Sequence, residues 1–133
     1  MIYSYQKHID SLRTVEIALP EGEGHQRIGT ELATIDGTTY VNVPDGTTLP
    51  TQPGEITVDE ITLTPDLIDR IKSISPHVRL INSRVVDMIR QRYSVDDEIK
   101  MLRLSPSDDS ARYNDYADQC REWGRQEKGK LGL

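Results

Sequence analysis

Cysteine is almost absent from this sequence of 133 residues, which contains Cys120 alone. A single thiol cannot form an internal disulfide bond, and it cannot build a thiolate zinc site. Residues 1–8 lack the basic and then apolar run of a secretory signal, and no apolar stretch approaches the ~18 residues of a membrane span. We therefore expect a soluble protein that is made in a reducing compartment, or part of an assembly built there.

Large hydrophobic side chains are also scarce. The sequence has no Phe and one Trp, and hydrophobic residues make up 35% of it, against the ~45–50% that is usual in globular domains. The core must therefore be small and mostly aliphatic, and we expect stability to come partly from a partner or from copies of the same chain. Full disorder is not expected, because the apolar residues that are present are strongly patterned.

Positive charge is missing from the front half of the chain. Residues 1–63 carry three basic and ten acidic side chains, a net charge of −7, while residues 64–133 carry thirteen basic and twelve acidic ones, a net charge of +1. Binding along nucleic acid needs a basic face that displaces counterions. The acidic front half argues against a nucleic-acid partner, and the mixed back half is typical of solvated helix faces.

Recognisable catalytic signatures are absent as well. There is no glycine-rich phosphate-binding loop, no G-x-S-x-G and no H-E-x-x-H, and His8, His25 and His77 lie far apart in the chain. The acidic cluster 96–98 is interpreted as capping the first turn of a helix. Asp-Gly pairs at 36–37 and 45–46 supply too few oxygens for calcium. We expect no catalytic, cofactor-binding or metal-binding residue, no cofactor, no membrane partner and no small-molecule substrate.

What the sequence does contain is a run of aliphatic residues in helical order from Ser75 to Leu104. Steps of three and four residues indicate one face of a helix. The residues that we expect to be buried in a central core are Ile81, Val85, Ile89, Ile99 and Leu102. The segments on either side are too short or too polar to fold alone, so we expect them to pack against this core.

Four helices are predicted, at about 65–74, 76–92, 95–103 and 108–128, with Gly129 ending the last. Ser or Thr precedes Pro at 64–65, 75–76 and 105–106, and such a hydroxyl can cap a first turn in which Pro is tolerated. Ser94, with Asp97 three residues later, caps the third helix in the same way.

The front half reads as β structure. Asp36-Gly37 lies between two segments rich in Thr, Val, Ile and Tyr, and it predicts a hairpin with a type I′ turn over Thr30–Val43. Residues 14–19 alternate and predict a strand, and residues 56–63 predict another, bent one. Residues 1–12 are ambiguous, although a weak helical stripe is one interpretation. The predicted architecture is α+β, with an N-terminal β meander of hairpins in a β-rich region (1–63), followed by a C-terminal bundle of about four helices (64–133).

The last predicted helix carries aromatic and small residues on one side and charged residues on the other. Tyr and Trp suit docking surfaces because they combine a large apolar area with a polar edge. One interpretation is a partner interface formed by Tyr113, Tyr116, Cys120 and Trp123, to which Leu80 adds an apolar side chain off the stripe of its own helix. The alternative is that this side simply covers the core at 76–103.

The C-terminal helical region resembles that of small proteins encoded in the structural modules of tailed bacteriophages. The resemblance lies in Arg92–Arg103, Tyr113–Arg125 and Leu131–Leu133, and the hairpin followed by Leu49–Pro53 looks like short β segments found near tail-fibre genes. It covers about a third of the chain and supplies no catalytic residue.

The resemblance implies a non-enzymatic virion protein of the tail or the tail-fibre attachment apparatus, assembled in the host cytoplasm. Its partners would be other phage structural proteins or copies of itself. The alternative is an assembly chaperone that holds a tail or fibre protein and does not enter the virion. A regulatory protein that binds a host protein is a more distant third possibility.

Overall fold

The computed structural model describes all 133 residues and confirms an α+β fold. The strands come first and the helices follow. The strands are β1 (Ile2–Tyr5), β2 (Thr30–Ile35), β3 (Thr38–Asn42) and β4 (Asp59–Ile61), and the helices are α1 (Pro65–Ile74), α2 (Pro76–Arg90), α3 (Val95–Arg103) and α4 (Asp108–Lys130).

The chain divides into two compact units. The sheet unit contains residues 1–76 and the last three residues, 131–133, and the helical unit contains residues 77–130. The boundary therefore falls after Pro76 rather than after Leu63, because α1 packs against β2 of the sheet. The sequence changes from strands to helices after Leu63, whereas the two compact units divide after Pro76.

The four strands form one antiparallel sheet in the order β2-β3-β1-β4. The predicted hairpin is confirmed as β2 and β3, and its turn residues Asp36 and Gly37 have φ angles of 51° and 81°, as a type I′ turn requires. A simple meander is wrong, however, because β1 lies between β3 and β4. The ambiguous N-terminal residues thus provide a central strand and no helix.

The predicted strand at residues 14–19 is also wrong, and a side chain explains why this segment is nevertheless ordered. The backbone N–H of Ala18 donates to Oε1 of Gln52 at 2.8 Å, and Nε2 of Gln52 donates to the Ala18 carbonyl at 2.8 Å. At Ala18 the amide of one glutamine therefore makes the two hydrogen bonds that a neighbouring strand would otherwise make. The alternation of apolar and polar residues at 14–19 therefore reflects the burial of Ile17 and not a place in the sheet.

Two apolar clusters cover the opposite faces of the sheet, because successive side chains of a strand point to opposite sides. One face buries Ile2, Leu32, Ala33, Ile35 and Ile71, the last from α1, and Leu131 and Leu133 pack against it. The other face buries Tyr5, Ile17, Val41, Val43 and Ile56. A bulge in β2 between Glu31 and Ala33 allows consecutive residues, Leu32 and Ala33, to serve the same face.

Local capping explains where the helices begin. The Thr64 hydroxyl accepts from the Leu67 amide at 3.3 Å, and Ser94 and Asp97 form a reciprocal capping box. These two starts are confirmed. Helix α4 is capped instead by Ser107, whose hydroxyl accepts from the Ser110 amide at 3.0 Å, and the Ser75 hydroxyl is buried without a hydrogen-bond partner.

The ends of α2 and α4 differ from the prediction by two residues each. Helix α2 stops at Arg90, and α4 continues past Gly129 to Lys130. The turn after α4 places Gly132 at a φ of +81°, a left-handed conformation in which glycine avoids strain. That turn directs Leu131 and Leu133 to the sheet unit.

Candidate protein-protein interface

Helix α4 packs within the helical unit through a narrow stripe of small and aromatic residues. The buried residues of α4 recur at steps of three and four: Ser110, Tyr113, Ala117, Cys120 and Gly124. Three of them, Tyr113, Ala117 and Cys120, form a cluster with Ile89 of α2, and Val85, Met88, Tyr93, Met101 and Tyr116 pack around it. Small residues allow close helix approach, and an ideal Cβ on Gly124 would lie 2.7 Å from Cγ2 of Val85.

Glu98 links all three helices of this unit. Its carboxylate forms an ion pair with Arg90 of α2, with N–O distances of 3.0 Å to both oxygens, and the hydroxyl of Tyr113 in α4 donates to its Oε1 at 2.6 Å. The Arg90 hydrogen bond and then the Tyr113 hydrogen bond lower the pKa of Glu98 below its usual value. Burial, followed by the bond to Glu98, raises the pKa of Tyr113.

Tyr116 of α4 binds a free backbone carbonyl near the C-terminal end of α2. Its hydroxyl donates to the Met88 carbonyl at 2.7 Å. The amide of Arg92, four residues after Met88, donates instead to the Ile89 carbonyl, which leaves the Met88 oxygen available. The Tyr116 ring lies beside the Tyr93 ring at 5.9 Å, and the Arg92 guanidinium stacks over it at 4.7 Å. This ring is therefore held inside the unit by three separate interactions.

The five residues predicted for a partner interface have different surroundings. Tyr113 and Cys120 are buried in the core of the helical unit, so the prediction that they face a partner is wrong and the alternative interpretation applies to them. Tyr116 and Trp123 are half-buried. Leu80 is 49% exposed, so it is the one predicted residue with a substantial free apolar surface.

Three of the six exposed large aliphatic side chains of the helical unit lie on α3, where the sequence predicted core. Val95, Ile99 and Leu102 are 54%, 46% and 72% exposed, so the predicted burial of Ile99 and Leu102 is wrong. Of the other predicted core residues, Ile89 is buried and Ile81 and Val85 are half-buried. We call the surface of Val95, Ile99 and Leu102 the α3 face.

Helix α3 turns a different side toward the rest of the unit. Met101 packs against the buried cluster, and Glu98 faces Arg90 and Tyr113. At about 100° per residue, Glu98 and Met101 lie about 60° and 120° around the helix from Val95, away from Ile99. The Met101 side chain and the Glu98 carboxylate thus hold α3 against the rest of the helical unit. A signal for this was present in the sequence, because Met101 is apolar but does not fit the stripe of 95, 99 and 102.

Charged residues flank the α3 face on one side. Asp96 and Arg103 are seven residues apart, which is two helical turns less about 20°, so they lie on the same flank. Both are exposed, and neither takes part in an ion pair within the chain. The other flank is occupied by Glu98, whose carboxylate is bonded inside the unit.

The sheet unit carries no comparable apolar surface on a regular element, but it has an open cleft of about 460 Å³ beside β1 and β4. Tyr5, His8, Glu55 and Asp59 are among its lining residues, and the His8 ring nitrogen Nδ1 lies 3.4 Å from the Thr14 hydroxyl. No group of three or more His, Cys, Asp or Glu side chains is placed to hold a metal ion. No helix combines the length and apolar character needed to cross a membrane.

No protein-family model matches this chain, and no match is found among curated proteins or among solved structures.

Proposed function

We propose that this chain is a non-enzymatic structural protein of a tailed-phage virion, in the tail or the tail-fibre attachment apparatus, acting through protein–protein contacts. One observation supports the contact role. The helical unit leaves six large aliphatic side chains exposed: Leu80, Val86, Val95, Ile99, Leu102 and Leu104. A chain already poor in hydrophobic residues thus keeps many of them outside its core, where burial against another protein would be favourable.

The virion part of the proposal is supported by the resemblance of residues 92–133 to the C-terminal region of small phage structural-module proteins. The acidic sheet unit and the mixed helical unit suit contacts with protein surfaces. The partners proposed are other phage structural proteins and copies of this chain.

The test is quantitative mass spectrometry of density-purified particles from a phage whose genome encodes the chain. Stoichiometric copies that withstand a high-salt wash would support a virion component. A protein that is abundant in the lysate but missing from complete particles would overturn the proposal and indicate an assembly chaperone. As a matched pair, Leu102→Asp should reduce incorporation, while Asp118→Asn on the charged side of α4 should not.

A further inference from the structure

We propose that the α3 face binds the α3 face of a second copy of this chain, with the two helices antiparallel and related by a twofold axis near Ile99. Copies of this chain are among the proposed partners, so the inference deepens the proposed function, although its argument does not use the virion role. It rests on the exposed positions of α3 and on the two unpaired charges beside them.

The apolar residues are arranged symmetrically along the helix. Val95 and Leu102 lie about 10 Å apart along the axis, at 1.5 Å per residue, and Ile99 is close to their midpoint. In an antiparallel pair the Val95 end of one helix therefore lies beside the Leu102 end of the other. The two Ile99 side chains meet near the axis. A twofold interface requires such a self-complementary surface.

The flanking charges select the antiparallel arrangement. When two copies of a helix pack antiparallel through the same face, the same flank of each helix lies beside that of the other. The residue numbers along the two flanks then run in opposite directions. Asp96 of one copy then lies near Arg103 of the other, and the same pair forms again across the axis. Both side chains are exposed and neither has an ion-pair partner in its own chain. A parallel arrangement would instead place the acidic first turns, Asp96 to Glu98, side by side with parallel helix dipoles.

The same geometry limits the strength of the pair. Two turns of one helix bury much less than the ~800 Å² per partner of standard interfaces. Association of the free chain is therefore weak, with a dissociation constant of roughly 0.1–1 mM. Many copies held close together in an assembly would be driven to pair by their high effective concentration.

Reversing the charges of Asp96 and Arg103, singly and together, provides the decisive test of the dimer. Sedimentation equilibrium is measured on the purified full chain up to about 1 mM. Asp96→Arg and Arg103→Asp, singly, should each weaken the dimer roughly tenfold, because two attractive pairs become repulsive. The double variant should restore the original affinity. The matched reversals Asp87→Arg and Arg84→Asp, at exposed positions of α2 without ion pairs, should change it little, and Ile99→Ser should abolish the dimer.

Two results would overturn the inference. One is a chain that stays monomeric at every concentration, which would leave the α3 face to a different protein. The other is a dimer whose affinity is unaffected by the single reversals or not restored in the double variant. Circular dichroism of each variant establishes that the helices are intact, as we expect for substitutions at exposed positions.

Cysteine pairs test the direction of the helices. In a Cys120→Ala background, chains with Val95→Cys and chains with Leu102→Cys are mixed and oxidised with copper–phenanthroline. Antiparallel pairing predicts that mixed disulfide dimers form several times faster than Val95→Cys dimers. Equal rates, or faster Val95→Cys dimers, would contradict it. Because these experiments use the purified chain and the virion test uses whole particles, either proposal can fail without the other.

Discussion

The substitution Gly124→Ala tests the closest helix contact of the helical unit. The added Cβ would lie 2.7 Å from Cγ2 of Val85 and 3.8 Å from Cγ2 of Ile81, and the first distance is well inside the ~3.5–4.0 Å of a normal carbon contact. Valine has one strongly preferred rotamer in a helix, so relief must come mainly from moving α2 away from α4. Overpacking of this kind costs about 1–3 kcal/mol.

Two opposing effects decide the sign of the change. Replacing a helical glycine with alanine alone stabilises by about 0.8–1 kcal/mol. We therefore expect Gly124→Ala to lower the free energy of unfolding by about 1 kcal/mol. Gly129→Ala is the matched control, because Gly129 lies in the same helix and a Cβ there has no neighbour within 4 Å. It should stabilise by up to about 1 kcal/mol.

The assay is urea unfolding followed by circular dichroism at 222 nm. The two variants should move the free energy of unfolding in opposite directions and differ by about 2 kcal/mol. Adding Val85→Ala to Gly124→Ala should recover about 1 kcal/mol relative to the sum of the single changes, because the clashing methyl group is removed. If Gly124→Ala stabilises as much as Gly129→Ala, the close approach of α2 and α4 is refuted.

Two further predictions concern the hairpin and Glu98. Gly37→Val should destabilise by about 1–2 kcal/mol or more, since φ is +81° there. Asp36→Asn should cost no more than about 1 kcal/mol, since Asn tolerates positive φ and only an exposed ion pair with Arg70 is lost; equal losses by thermal melting would contradict this. The lowered pKa of Glu98 stabilises the fold above the unfolded pKa, and this contribution disappears as pH falls through the folded one. Glu98→Gln should therefore have a lower free energy of unfolding than the unchanged protein at pH 7, and the difference should shrink as pH falls below 4.5, the ordinary pKa value for Glu. A difference that does not depend on pH would refute this prediction.

Features that depend on a few neighbouring residues were predictable from the sequence. The starts of α1 and α3 agree with the prediction because Thr64 and the Ser94–Asp97 box bind amides within the first turns. The hairpin agrees because Asp36-Gly37 determines both the turn and the register of its strands. The α+β class follows from these elements alone.

Features that depend on distant partners were not predictable. Strand β1 is central because it pairs with β3 and β4, both far away in the sequence, and four residues of mixed character do not specify that choice. Residues 14–19 have a strand-like alternation, but they join no strand of the sheet: Gln52 bonds both backbone groups of Ala18, and the Val15 amide donates to the Lys7 carbonyl. Nothing local to either segment identifies the partner.

The candidate site shows the same limit more sharply. A stripe of apolar residues predicts that a helix has an apolar side, but it does not say which surface that side meets. On α4 the stripe with Tyr113 and Cys120 meets the chain's own core, and on α3 the more hydrophobic stripe faces outward. The difference arises because Glu98, on one flank of the α3 face, is held inward by Arg90 and Tyr113. The low hydrophobic content and the exposed stripe therefore have one physical consequence: association would bury apolar area that this chain, folded alone, leaves in water.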